Sequence, residues 1–171
     1  MNKLVVFIVL LLWGKSAFPQ SAVADVEDLK VAFVYNFSKY ITWPDSAFIS
    51  AEDFTFCIAG DASLVNRFNS LAGQLTNQKM IRVLTMQPPD KATQDCHVIY
   101  VSGTYKTDTR QLLASLDDRP VLTVGDSRGF NEQGGVIELM EEDQKIIFRI
   151  NQAQALAKNL AISSSLLRLA R

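Results

Sequence analysis

Three short, unbroken apolar runs constrain this chain more than any other feature. They are Phe54–Gly60 (FTFCIAG), Cys96–Ser102 (CHVIYVS) and Pro120–Asp126 (PVLTVGD). A strand with one wet face alternates apolar and polar residues. A run without alternation suits a strand covered on both faces. A helical segment follows the first run, Ser63–Gly73 (SLVNRFNSLAG). Leu64, Phe68 and Leu71 recur there at helical spacing, Asp61, Ser63 or both supply the cap, and Gly73 ends it. Met80–Met86 then alternates Ile81 and Val83 against Arg82, as an edge strand does. Gln87–Asp95 (QPPDKATQD) breaks regular structure. A second helix is predicted from about Thr107 to Leu116, carrying Leu112, Leu113 and Leu116. Strands separated by helices need right-handed crossovers, which build a largely parallel sheet.

After the third run the pattern changes. Asp126–Gly135 (DSRGFNEQGG) reads as a loop. Val136–Met140 and Lys145–Ile150 face each other across Glu141–Gln144, which predicts an antiparallel hairpin. Two short helices follow, Gln152–Asn159 and Ser163–Ala170. The expected fold class is α/β: a three-layer α/β/α sandwich, with a mostly parallel sheet and a C-terminal antiparallel hairpin. Counting the first four strands in chain order, the expected sheet order is 2-1-3-4, with the hairpin at the far edge.

Residues 1–24 read as a secretory signal. Lys3 is positive, Leu4–Trp13 is an apolar run of ten residues, and Ala22-Val23-Ala24 precedes a cleavage site. Ten helical residues span about 15 Å, roughly half a bilayer core, which is short for an anchor. The expected organisation is therefore a signal peptide, 1–24, and one domain, 25–171, outside the cytoplasm. Removing the signal leaves 15 basic and 18 acidic groups, a net charge of −3. No basic block stands out, so no nucleic-acid partner is indicated.

Catalytic and cofactor motifs are scarce. There is no Gly-x-Ser-x-Gly elbow, no phosphate loop and no spaced triple-glycine fingerprint. One histidine and two cysteines cannot form a standard zinc site. His97 lies inside an apolar strand run and reads as a core or edge residue rather than a general base. The acidic groups Asp117-Asp118 and Glu141-Glu142-Asp143 read as solvated turns, and Ser163–Ser165 as the start of a helix. Gly60-Asp61, with Ser63, and Gly125-Asp126 follow parallel strands, where open α/β sheets hold ligands. The same residues are ordinary turn and cap chemistry. Cys57 and Cys96 lie in two strands expected to be central. The residues alone leave two outcomes open, a bridge or two buried thiols.

The first element is predicted as a helix from about Val26 to Ile41, stopped before Pro44 and capped by Asp25, with Asp28 placed for a capping box. It opens the most aromatic stretch of the chain. Lys30–Pro44 (KVAFVYNFSKYITWP) holds five rings in fifteen residues. Leu29, Phe33, Phe37, Tyr40 and Ile41 follow core spacing. Val31, Val34, Tyr35 and Ser38 fall largely outside that stripe. Such a helix either fills the middle of a domain or also touches a partner, and Tyr35, Tyr40 and Trp43 are the candidate contact residues.

This stretch resembles the opening signature of the YfiR family, A-x-Φ-Φ-Y-N-Φ-x-K-Φ-x-x-W-P, where Φ is apolar. Ala32, Tyr35, Asn36, Phe37, Lys39, Trp43 and Pro44 fill it. FCIAGD, DCHVIYVS, PVLTVGDSRGFNEQGGVIEL and the ending FRINQAQALAKNLAISSSLLRLAR resemble the family's later segments, in order. The resemblance covers essentially all of 25–171. It implies a periplasmic regulator without catalysis or cofactor. Its partner would be an inner-membrane diguanylate cyclase, or another membrane sensor, engaged through its periplasmic part and repressed. A homodimer is a further implied partner. The resemblance also implies a Cys57–Cys96 disulfide and redox-sensitive folding. The rival reading is a small-ligand sensor or carrier using the crevice near Gly60 and Gly125.

Overall fold

The computed structural model describes residues 25–49, 51–86, 95–106, 108–116, 118–143 and 145–171. The predicted signal, most of the Gln87–Asp95 break, Thr107, Asp117 and Gln144 lie outside this set. In chain order the elements are α1 (Val26–Tyr40), β1 (Ile41–Thr42), β2 (Phe54–Ala59), α2 (Ala62–Phe68), β3 (Leu75–Thr76), β4 (Lys79–Thr85) and β5 (Val98–Val101). Then come α3 (Thr109–Ser115), β6 (Leu122–Gly125), β7 (Ile137–Glu142), β8 (Lys145–Ile150), α4 (Gln152–Ala157), β9 (Ala161–Ile162) and α5 (Ser164–Leu167).

Seven strands form one sheet in the order β3-β4-β2-β5-β6-β7-β8. The five from β4 to β7 are parallel, and β3/β4 and β7/β8 are antiparallel. The predicted order 2-1-3-4 is thus present as β4-β2-β5-β6, with the hairpin at the far edge. Every residue of β2, β5 and β6 is buried, as their unbroken apolar runs require.

The strand faces separate two cores. Phe54, Phe56, Ile58, Val98 and Tyr100 join residues of α1, α2, α4 and α5. Cys57, Ala59, Ile99 and Val101 join Leu113 and Leu116, in and just after α3. Handedness explains this division. The chain moves one way across the sheet through β2-α2-β4 and the other way through β5-α3-β6. Right-handed crossovers running in opposite directions place their helices on opposite faces.

The helix starts follow side-chain caps. Asp25, Asp61, Asp108, Asn151 and Ser163 each accept a hydrogen bond from a backbone N–H in the first turn that follows. Asp61 is the cap of α2, and Ser63 lies within the helix. Asp28 does not reach back to complete a capping box; it pairs with Arg67.

The buried stripe of α1 differs from the predicted one. Val31, Val34, Phe37 and Ser38 are buried within the helix, followed by Ile41, whereas Leu29 and Phe33 are half-buried and Tyr40 is exposed. The sheet already sends Phe54, Phe56 and Tyr100 into this layer. Small β-branched residues on the helix complement those rings. Phe33 and Phe37 turn sideways, with ring centroids 6.0 and 5.0 Å from Phe148 on β8. The hydroxyl of Ser38 bonds Thr76 at 2.9 Å, and Asn77 Nδ2 donates to the Ser38 carbonyl, also at 2.9 Å. Asn77 and Gln78 have φ of 47° and 61°, the left-handed pair that a tight β3–β4 turn requires. After α1, the short β1 pairs antiparallel with β9, an element the sequence pattern does not reveal.

Phe37→Ala empties a site shared by α1 and β8. The substitution is expected to cost about 3–5 kcal/mol of unfolding free energy, read from the urea midpoint.

Candidate functional site

Three regions carry the polar and reactive groups. The first is the amino end of the central strands. Cys57 and Cys96 form a disulfide, with Cα atoms 5.8 Å apart. Cys57 is in the middle of β2, opposite Ile99 of β5, and Cys96 lies just before β5. β4 and β5 flank β2, and the bridge ties the residue two places before β5 to the middle of β2. Closing 39 residues contributes about 4 kcal/mol in the chain-entropy treatment.

His97 follows Cys96 in the chain and clusters with Phe48 and Phe54, stacked near-parallel to each at centroid distances of 5.1 and 4.8 Å. Its Nδ1 accepts from the Thr55 N–H at 3.0 Å. Nδ1 is therefore unprotonated, and Nε2 carries the hydrogen that it donates to the Ala47 carbonyl, 3.2 Å away. Burial lowers the imidazole pKa below its ordinary value, and the Lys79 charge lowers it further, against the opposing effects of the Ala47 bond and Asp95. Both nitrogens are engaged in structure, as expected for a core histidine.

The second region is the carboxyl end. The connections leaving β2 and β5 run in opposite directions, so the crevice between those strands is the switch point where ligands enter α/β sheets. Here the chain supplies its own groups. Lys30 of α1 reaches Asp126 Oδ2 at 2.6 Å and Glu27 at 2.7 Å. Tyr100 donates to the same Asp126 oxygen at 2.9 Å, and the Gly103 N–H donates to the other. Burial pulls the Lys30 ammonium down, but hydrogen bonds to Asp126 and Glu27 outweigh it and hold its pKa above the ordinary lysine value. Burial, with the Asp126 charge, keeps Tyr100 protonated.

Gly60 and Gly125 answer to packing at this end. A Cβ on Gly60 would come within 2.6 Å of Leu64, and one on Gly125 within 2.4 Å of the Phe130 ring. Asp61 is spent on the α2 cap, at 2.9 Å from the Leu64 nitrogen. Asp126 therefore lies in the Lys30 network and Gly125 packs under Phe130, while Gly60 and Asp61 form the turn into α2, whose first turn holds Ser63. Lys30 and Tyr100 were not singled out from sequence. A lysine three residues after Glu27 on a largely apolar helix was the available signal.

The third region is the outer face of α1. Ala32, Asn36, Lys39 and Tyr40 are exposed and Tyr35 is half-buried. The Lys39 ammonium lies 3.7 Å from the centroid of the Tyr35 ring. The Tyr35 hydroxyl donates to the Leu75 carbonyl at 3.4 Å. Leu75 and its cross-strand partner Met80 are exposed beside it, at 62% and 49%. Trp43 does not share this surface. It is 5% exposed and packs edge-on against Phe54, 5.1 Å between centroids, so it belongs to the core. Among the described residues no group of three or more His, Cys, Asp or Glu is placed to hold a metal. No helix among them is long and apolar enough to cross a membrane.

A family model described as YfiR/HmsC-like matches residues 27–171, from the start of α1 to the last residue. The chain belongs to the YfiR/HmsC-like family. No curated protein matches it. YfiR/HmsC-like proteins are periplasmic, non-catalytic regulators linked to membrane-associated signalling proteins. The residues that resemble the family's opening signature divide in two on this fold. Phe37 and Trp43 are core residues, whereas Ala32, Asn36 and Lys39 point to solvent and Tyr35 borders it.

Two measurements follow. The Cys57→Ala/Cys96→Ala double variant should lose about 4 kcal/mol of unfolding free energy in urea. The His97 pKa is lowered on folding, so between its folded value and 6.5 the unfolded chain binds more protons. Stability from this group is complete above about pH 6.5 and is lost as pH falls below it. Urea midpoints measured from pH 7.5 to 5 should therefore decline, and the decline should be smaller in His97→Phe.

Proposed function

We propose that this protein is exported by a cleaved signal, residues 1–24, and works in the periplasm as the domain 25–171. There it binds the periplasmic part of an inner-membrane signalling enzyme, a diguanylate cyclase, and represses it. Repression needs only that the regulator bind the partner's inactive state better than its active state. The contact surface is the outer face of α1, with Tyr35 and Tyr40 as its rings and Leu75 and Met80 alongside. The Cys57–Cys96 bridge keeps the contacting surface on a folded body, so reduction weakens repression.

The observation that carries this reading is the placement of the family signature. Core packing accounts for Phe37 and Trp43. It does not account for Ala32, Asn36 and Lys39, which touch water. A surface that a family signature describes residue by residue fits recognition better than packing. At the carboxyl-end crevice Lys30, Asp126 and Tyr100 are bonded to one another, which favours contact with a partner over capture of a small ligand there.

Tyr35→Glu places a carboxylate in the proposed contact. It should lower affinity for the partner at least about tenfold, about 1.4 kcal/mol, and raise cellular cyclic di-GMP. Circular dichroism should remain that of the parent protein. A folded Tyr35→Glu protein that represses as the parent does would show that this face is not the contact.

A further inference from the structure

We infer that a small external thiol opens the Cys57–Cys96 bridge by attacking Cys96 Sγ, entering through a cleft at the amino ends of the central strands. This deepens the redox part of the proposed function and can fail without touching the partner contact.

The cleft has a volume of about 500 Å³ and is lined by Ala47, Ile49, Thr55, Arg119 and Cys96, among others. Cys57 is not in its lining. Cys57 has no exposure at all, and Cys96 has 5%. The strand position explains the difference. Cys57 is flanked by Leu84 on β4 and Ile99 on β5, and it shares the core layer beneath α3. Cys96 precedes the first residue of β5 and lies at the edge of that core.

Thiol–disulfide exchange needs the nucleophile in line with the S–S bond, behind the sulfur it attacks. Approach to Cys57 Sγ from behind would pass through the packed layer. Approach to Cys96 Sγ comes from the side away from β2. The attacking thiolate forms a bond to Cys96 Sγ, the S–S bond breaks, and its electron pair leaves on Cys57 Sγ. A second thiolate then attacks the external sulfur of this mixed disulfide and releases Cys96 as thiolate. Cys57 and Cys96 each take a proton, two external thiols become one external disulfide, and two electrons have passed to the protein.

The site also sets the pace. An apolar layer disfavours a thiolate at Cys57, so charge develops there reluctantly as the S–S bond breaks. His97, with both nitrogens engaged, does not supply the proton. The cleft carries Glu52, Asp53 and Asp95 against Arg82 and Arg119, so it does not select strongly by charge. An uncharged thiol is therefore a suitable probe.

The test uses the oxidised mature protein and 2-mercaptoethanol. Samples are quenched in acid, free thiols are alkylated in denaturant, and the two cysteine peptides are mapped by mass. The mixed disulfide should fall on Cys96 in at least tenfold excess over Cys57. Its rate of formation should stay flat with urea below the unfolding transition. Equal adducts on the two cysteines, a rate that climbs with urea along the global unfolding slope, or no reduction short of unfolding would each overturn the inference.

Discussion

Burial of β2 on both faces is the constraint on which the other elements depend. Phe54, Phe56 and Ile58 point into one layer, and Thr55, Cys57 and Ala59 into the other, all of them buried. A strand placed so must be covered twice. On one side α1 and α2 cover it. On the other, the layer beneath α3 does so, and a disulfide ties Cys96, just before β5, to the strand.

The first helix is the complement of that constraint. It is anchored along its whole length by different chemistry. Near its start, Arg67 pairs with Asp25 and Asp28, and Lys30 joins Asp126 beneath the turn after β6. In the middle, Val31, Val34 and Phe37 fill the layer above the sheet. Towards its end, Ser38 holds the β3–β4 turn, and β1 continues from the helix into the pair with β9. A helix fixed in so many ways is a rigid support for whatever its outer face presents. That rigidity favours recognition, because little side-chain or backbone ordering remains to oppose binding.

The fold was legible in the sequence wherever burial was uniform. The runs FTFCIAG, CHVIYVS and PVLTVGD announced strands wet on neither face, and their order across the sheet is that of a doubly wound fold. The rotation of α1 was not legible. Its apolar residues satisfy two stripes equally, and the choice between them depends on which rings the sheet sends up. Phe54, Phe56 and Tyr100 decide it, and these lie far away in the chain. The β1–β9 pair was hidden for a similar reason, since two-residue strands have no periodicity. Within the candidate site, the cysteines and His97 were visible as residue types in strand runs. Trp43, a candidate contact residue by its ring chemistry, is buried, because ring chemistry alone does not report burial. The Lys30–Asp126–Tyr100 network was missed because its members are 26 to 96 residues apart.

The family assignment and the outer face of α1 together point to action by contact. The most direct measurement places a photo-crosslinking residue at Asn36, on that face, and a second at Gln111, exposed on α3 across the sheet. Each protein is irradiated in cells that carry the proposed membrane partner. Contact through α1 predicts a covalent product between position 36 and that proposed partner, and none from position 111. A product from 111 with none from 36 would contradict it and move the regulatory surface to the opposite layer.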